Sequence, residues 1–430
     1  MGGNDGLQEK TFVLVTGANS GLGFSICCRL IDEFLSTRPE NRSLTIIFTT
    51  RSTRKGDETS RRLKDHLRRS AGGRSESESR ITLQPENVDL TNLLSVRALS
   101  RKLLTSTPKI DSLVLNAGIG GFTGLNWPKA VYTILTDLVH ASTWPSYKLS
   151  DIGVMGKKQT SSPKERPLGE IFCANVFGHY MLAHGLVPLL SRAESSGRII
   201  WISSLEGLAE NFDISDIQGI RSPTAYESSK RLTDLLALTS NLPSTAPWVN
   251  NFLSNPSTDT SSDPPSKPNM YVAHPGICGT SIVPLILPLQ YCMLAAFWLA
   301  RMLGSPWHGV SPYVGARAPV WLSLATQSAL DTAESAYSRL GGGKVKWGSG
   351  CDRSGRDFAA STEVDGWGHG GVVGGFAVEE DRLRRRRRGQ EDVNDEKKVE
   401  FEEMGRECWR ELEALRVEWE GILDEEEAKN

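Results

Sequence analysis

No cysteine pair in this chain stands at metal-ligating spacing: Cys27 and Cys28 are adjacent, and the other five of the seven are scattered. That usage argues against a disulfide-dense secreted scaffold and for buried or free thiols in an intracellular protein. Neither sign of charge prevails, with 49 Lys and Arg against 51 Asp and Glu, so no specific nucleic-acid partner is expected. The chain has no HExxH and no compact carboxylate set, and no metal site is expected. Repeats with a period of roughly 20–50 residues are absent. Residues 1–10 are polar and lead directly into Thr11-Phe12-Val13-Leu14-Val15, without a basic leader or a cleavage site, so a signal peptide is not expected. What is present is 430 residues that are 39% hydrophobic, enough for a substantial core and incompatible with a wholly disordered chain.

One apolar run is long enough to raise the membrane question: IVPLILPLQYCMLAAFWLA, 19 residues without a formal charge from Ile282 to Ala300. Pro284, Pro288 and Gln290 interrupt it, so a full membrane span is the weakest reading. A membrane-surface anchor with interfacial aromatic residues and an apolar lid over a substrate both remain open.

Apolar runs and helical periodicities alternate along the first two thirds of the chain. Strands are expected at 11–15, 44–49, 81–88, 110–115, 198–203 and 270–273, with helices after several of them. This order predicts an α/β fold, a Rossmann-like doubly wound parallel sheet with helices on both faces, an expanded substrate lid and a C-terminal extension. Residues 1–340 form the expected catalytic domain, with insertions at 125–168 and 205–225. The first insertion looks irregular, and the Ser-, Pro- and Asp-rich stretch 254–268 reads as a surface loop. Residues 341–389 read as a glycine-rich and basic linker containing five consecutive arginines, 384–388. From residue 390 the tail carries 16 acidic and six basic residues. There Phe401, Met404, Cys408, Leu412, Leu415, Trp419 and Ile422 recur every three or four places, which predicts an amphipathic helix.

The loop Thr16-Gly17-Ala18-Asn19-Ser20-Gly21-Leu22-Gly23 lies between the first strand and a helix. Gly17 permits a tight turn, Gly21 lets the backbone approach a diphosphate, and Gly23 allows close packing where the helix starts. The helix N-terminus offers N–H donors to anionic oxygens. This loop resembles the TGxxxGxG loop of the short-chain dehydrogenases/reductases. At the end of the second strand an acidic residue would favour a free ribose 2′-hydroxyl; Arg51 stands there instead, with Arg54 and Lys55 as weaker candidates. NADPH/NADP+ is therefore favoured over NAD, against the plainer reading of an exposed basic loop.

Tyr226 and Lys230, in YESSK, fall on one face of a helix at i,i+4. A lysine cation there favours the tyrosinate and eases proton exchange with a carbonyl or alcohol oxygen. The same family resemblance extends to further segments in the family's order. It implies that Ser204 orients the substrate oxygen and that Asn175, in NVFG, supports a water and backbone network leading to Lys230. It also implies that Asp89 binds adenine and that Asn116-Ala117-Gly118 supports the cofactor crevice. Pro275, Gly276, Ile277 and Thr280, in HPGICGT, are implied near the nicotinamide, while His274 reads as structural. The cofactor set is thus Gly17, Asn19, Ser20, Gly21, Leu22, Gly23, Arg51, Asp89, Asn116, Ala117, Gly118, Tyr226, Lys230, Pro275, Gly276, Ile277 and Thr280. The catalytic set is Asn175, Ser204, Tyr226 and Lys230. The long interval between Ser204 and Tyr226 requires an inserted loop that still lets them converge.

The insertion before Asn175, that long interval and the 282–300 run make the chain resemble fungal 3-keto-steroid reductases and related 17-beta-hydroxysteroid dehydrogenases. The resemblance implies NADPH-dependent reduction of a 3-keto sterol to the 3-beta alcohol during C-4 demethylation in ergosterol synthesis. It also implies a membrane-associated demethylation complex as partner and an endoplasmic reticulum membrane location, peripheral or anchored, with lipid droplets as a further site. A reductase of another lipid or aromatic ketone, or a non-enzymatic NADP-binding scaffold, are the alternatives.

Overall fold

The computed structural model describes residues 9–254, 266–280, 282, 285–335, 344–368 and 385–429. Expectations for the first eight residues, most of the 254–268 loop, glycines 341–343, most of the glycine run 366–375 and Arg384 lie outside these residues.

Ten strands are described: β1 (Lys10–Val15), β2 (Ser43–Thr50), β3 (Ile81–Asn87), β4 (Ser112–Leu115), β5 (Phe122–Leu125), β6 (Lys148–Ser150), β7 (Arg198–Ile202), β8 (Asn269–His274), β9 (Lys346–Cys351) and β10 (Asp357–Thr362). Eight of them make one sheet in the order β3-β2-β1-β4-β7-β8-β9-β10. All neighbours run parallel except β10, which pairs antiparallel with β9. Every residue of β4 and β7 is buried, as central parallel strands covered on both faces require.

Alternate side chains divide between two cores, because successive residues of a strand point to opposite faces. Leu14, Ile47, Leu113, Ile199 and Val272 pack on one side with helices Leu93–Ser106, Gly178–Gly185 and Ala225–Thr239. Val13, Ile46, Val114, Ile200 and Tyr271 pack on the other with helices Gly21–Thr37 and Arg317–Leu324. The chain leaves β1 in opposite directions, to β2 on one side and β4 on the other. Such a reversal opens a crevice at the carboxyl ends of the strands, where ligands bind in doubly wound sheets.

Two expectations need correction. The 125–168 insertion is not irregular throughout: it holds helices Trp127–Thr136 and Leu138–Thr143, and strand β6 pairs antiparallel with β5. Asn126 accepts a hydrogen bond from the Lys129 N–H at 3.2 Å and Pro128 sits in the first turn, a start signal that the surrounding polar residues mask. The second concerns the linker. Within 341–389, β9 and β10 extend the main sheet, and Trp347 is fully buried against Trp321. Small residues in Trp347-Gly348-Ser349-Gly350 weaken the strand pattern but suit close approach: a Cβ on Gly348 would meet His274 Nε2 at 2.4 Å.

The tail forms helix Asp395–Glu427 and docks on its own fold. Phe401, Cys408, Leu412, Trp419 and Ile422 join the first core, with Met404 and Leu415 packed at its margin. Trp409 Nε1 donates to Leu236 O at 3.1 Å, which fixes this helix on the helix that carries Tyr226.

Candidate active site

The glycine loop leaves β1 as a tight cradle. Gly17 and Gly21 have φ of 70° and 56°, in the left-handed region that side chains resist. A Cβ on Gly17 would lie 2.8 Å from Ala117 Cα, and one on Gly23 would lie 2.3 Å from Gly17 O. Ser20 precedes helix Gly21–Thr37 without spending its hydroxyl on a cap, which leaves the first-turn amides uncapped where Ser20 to Gly23 line the cleft. Thr16 Oγ1 accepts from the N–H groups of Asn116 and Ala117 at 2.8 and 3.0 Å, and Asn116 Nδ2 donates to Thr16 O at 2.9 Å. The segment 116–118 is thereby locked against the loop.

A cleft of about 590 Å³ opens above this cradle. It is lined by every residue assigned to the cofactor from sequence, Arg51 and Asp89 included, while Arg54 and Lys55 do not line it. Asp89 Oδ1 accepts from Thr91 N and Thr91 Oγ1 at 3.0 and 2.7 Å; the following helix is capped by Asn92 instead. Gly276, with φ of 66°, could not carry a Cβ, which would meet Trp307 O at 2.5 Å. Thr280 faces Gly21 across the cleft, its Cγ2 3.8 Å from where a Cβ would be. The glycines, open amides and Arg51 therefore fit a dinucleotide carrying a 2′-phosphate.

Ser204, Tyr226 and Lys230 line the same cleft, so the loop between Ser204 and Tyr226 does not keep them apart. The phenol is pushed well above the ordinary tyrosine range by burial, and further by Glu206 and Glu227, while a hydrogen bond with Ser204 opposes the rise. Lys230 Nζ donates to Ile202 O at 2.8 Å and lies 5.5 Å from the Tyr226 ring centroid. Burial lowers its ammonium to about 8, against the pull of Asp234. Asn175 sits behind the wall in a π-helical turn, Cys173–Phe177, of a kind often found at functional sites. Its Oδ1 accepts from Ile119 N at 2.8 Å, and its Nδ2 donates to Ile119 O and Ser229 Oγ at 3.0 and 3.1 Å. Ser229 precedes Lys230 on one helix, so Asn175 reaches the lysine's helix through its neighbour.

Several participants had no sequence signal. His179 joins Thr16 Oγ1, at 2.9 Å, to Asn175 O, at 3.2 Å, and burial lowers it to about 3. Arg62 donates to Asn19 O at 2.9 Å at the rim of the glycine loop. Lys148 and Glu206, one from each insertion, line the cleft beside Tyr226. His274 is structural, as expected: its Nδ1 accepts from Gly276 N at 3.0 Å, and its Nε2 pairs with Thr362 Oγ1 at 2.6 Å.

The outer wall is apolar. Ile282, Met293 and Phe297 line the cleft. The last two come from helix Leu287–Met302, whose other side chains Leu287 and Tyr291 are 68% and 70% exposed. No helix among the described residues is long and apolar enough to cross a membrane. The arrangement holds a proton-bearing phenol, a serine hydroxyl and a lysine cation between a polar cradle and an apolar wall, which suits proton transfer to the oxygen of a bound ketone.

No family model matches the chain. It is 58% identical to the 3-keto-steroid reductase of Aspergillus fumigatus over 437 aligned residues, 98% of this chain and 97% of that protein. To the 3-keto-steroid reductase of Gibberella zeae it is 40% identical over 463 aligned residues, 97% of this chain and 95% of the other. The corresponding protein of Schizosaccharomyces pombe is 32% identical over 84% of this chain and 92% of its own length. Among solved structures, a 7 alpha-hydroxysteroid dehydrogenase complexed with NADH and 7-oxo glycochenodeoxycholic acid aligns at a TM-score of 0.42 and 17% identity, over 74% of this chain and 88% of that one.

Proposed function

The chain belongs to the family of fungal 3-keto-steroid reductases, and from that premise we propose that it reduces the C3 ketone of a sterol intermediate to the 3-beta alcohol with NADPH. The step belongs to C-4 demethylation in ergosterol synthesis. The observation that carries this reading is the convergence of Ser204, Tyr226 and Lys230 on one cleft that joins the glycine cradle to an apolar wall.

When bound, the reduced nicotinamide supplies the hydride. Gly17, Gly21 and the uncapped amides of the following helix would hold the diphosphate, and Arg51 would pair with the 2′-phosphate. Pro275, Gly276, Ile277 and Thr280 would hold the nicotinamide end and Asp89 the adenine, with the segment 116–118 supporting the crevice between them. Ser204 donates a hydrogen bond to the ketone oxygen and orients it. Tyr226 delivers a proton from its phenol to that oxygen as negative charge develops there. Lys230, with one N–H spent on Ile202 O, keeps two donors for the ribose and stabilises the tyrosinate that results. Asn175 holds the backbone at Ile119 and the Ser229 side chain, which keeps the Lys230 helix in register with the cleft. Met293 and Phe297 exclude water and bury the hydrocarbon rings.

Residues 1–340 form the catalytic domain on this reading, with β9 and β10 added to its sheet and 390–430 as a helical extension. The protein works at the endoplasmic reticulum membrane or lipid droplets as a peripheral or anchored enzyme beside the other demethylation enzymes. Exposed Leu287, Tyr291 and Trp298 on the helix that also lines the cleft, and exposed Tyr132 and Leu135 on the helix Trp127–Thr136, support a lipid-facing surface.

The test is oxidation of NADPH by the purified protein with 3-keto sterols and with matched simpler ketones, the products being identified. A 3-beta alcohol formed from the sterol at a rate well above the simple ketones is the expected result. Turnover of the simple ketones alone moves the assignment to another carbonyl substrate, and NADPH binding without turnover of any ketone moves it to a scaffold.

A further inference from the structure

Three charged side chains that the reaction above does not use are buried together beside Tyr226. Lys148 Nζ lies 2.7 Å from Glu206 Oε1 and 2.5 Å from Glu227 Oε1, with side-chain exposures of 7%, 14% and 8%. The same ammonium stands 4.2 Å from the Phe122 ring centroid and 5.4 Å from that of Tyr226, and the Phe122 and Tyr226 rings meet edge-on at 5.3 Å. Lys148 comes from β6 in the first insertion, Glu206 from the second insertion, and Glu227 follows Tyr226 on its helix.

We propose that Lys148, Glu206 and Glu227 form a positioning triad for Tyr226, which ties both insertions to the catalytic helix and sets the charge that the phenol experiences. This rests on Tyr226 being the proton donor in ketone reduction, as proposed above.

Burial makes the arrangement costly unless each charge is paired, and one ammonium between two carboxylates pairs all three. It leaves one net negative charge at short range, in a place where water screens poorly. The groups facing the phenol are Glu206, Glu227, Ser204 and Cys278, with Lys230 and Lys148 as the cations near its ring. Lys230 answers in turn to Asp234 and Lys346. Glu206 is raised to about 7 by burial and by Glu227, against the pull of Lys148, so its carboxyl is partly protonated at neutral pH and ionised on the alkaline side where the test is read. Both carboxylates push the phenol's ionisation upward.

In reduction Tyr226 must be protonated and Lys230 charged, so the rate falls as pH rises through the first ionisation of this pair, and a nearby negative charge holds both ionisations at higher pH. Removing one negative charge eases that ionisation and brings the fall to lower pH. Glu206→Gln should therefore displace the alkaline limb of the kcat profile downward by about 0.5–1 pH unit. The double variant Lys148→Met with Glu206→Gln restores one net negative charge and should return the limb to the wild-type position. Lys148→Arg should preserve it. Should Glu206→Gln not fold, Glu227→Gln must give the same downward displacement.

The profiles are measured on the full chain with NADPH and a 3-keto steroid, or with whichever ketone the wild type reduces. A limb unmoved by Glu206→Gln, or a double variant displaced further than the single one, overturns the triad while leaving the reductase reading intact. A wild type that reduces no ketone overturns both.

Discussion

Lys346 donates from Nζ to the main-chain oxygen of Ser204 at 2.6 Å and to Asp234 Oδ2 at 2.6 Å. One buried ammonium on β9 thus joins the end of β7, where Ser204 sits, to the helix one turn beyond Lys230. The strand that carries it lies past residue 340, so Ser204 is braced from a part of the chain expected to be linker. The contact also explains why the sheet continues to β9. Without that strand the Ser204 carbonyl would lose this partner, at a cost of about 1–3 kcal/mol, and the fully buried Asp234 carboxylate would lose its counter-ion, at a larger one.

Replacing Tyr226 with Phe removes the phenol proposed as proton donor and keeps the ring that packs on Phe122. Turnover should fall by about 10²–10⁴-fold, the range that a positioned acid contributes. NADPH affinity, read by fluorescence titration, should change little. Unchanged turnover would reject the role given to this phenol.

Arg51→Glu should reverse the charge at the 2′-position end of the cleft. Affinity for NADPH should drop by at least about tenfold relative to NADH, given the loss of a charge-assisted contact and the new repulsion. Equal effects on the two dinucleotides would show that Arg51 is only part of an exposed loop.

Acid should destabilise the protein through His179. With Nδ1–H donated to Asn175 O, Nε2 accepts from the Thr16 hydroxyl, whose own oxygen already accepts two backbone N–H groups. A second proton on the ring has no acceptor there. The unfolded chain takes up this proton below about pH 6.5, whereas the folded one resists until about 3. Stability is therefore lost as pH falls through that window and is regained above it. Thermal melts should show a steep decline in Tm between pH 6.5 and 4, and a shallower one for His179→Gln. Equal slopes would assign the acid sensitivity elsewhere, His274 and His308 being the other buried histidines lowered by burial.

Trp409→Ala should cost about 3–5 kcal/mol in denaturant unfolding, as truncation of a buried aromatic does. The indole is 1% exposed and donates to Leu236 O on the Tyr226 helix. Because the C-terminal helix leans on that helix, kcat should fall along with stability. A variant as stable as the wild type would mean that the extension is merely appended.

Local chemistry was readable where neighbours in sequence are also neighbours in space. The glycine loop needs only a strand, a turn and a helix within a few residues, and Tyr226 and Lys230 share a face because a helix repeats every 3.6 residues. The C-terminal helix announced itself in the same way, through Phe401, Cys408, Leu412 and Trp419. His179 and Lys346 gave no such signal. Thr16 and His179 are 163 positions apart, and Lys346 and Ser204 are 142 apart, so each pairing exists only once the sheet has assembled. The helices of the first insertion were hidden for another reason: polar and proline-rich flanks obscured a short apolar period.

The order of apolar and polar residues alone decided that this chain builds alternating strands and helices with a phosphate-binding turn at the first crossover, because those choices rest on backbone conformation and short-range periodicity. Tertiary structure decided which distant charges end up beside the phenol, that β9 and β10 complete the sheet, and that the acidic tail becomes part of the core. Those outcomes depend on which buried groups find partners once water is excluded, and no local pattern records that.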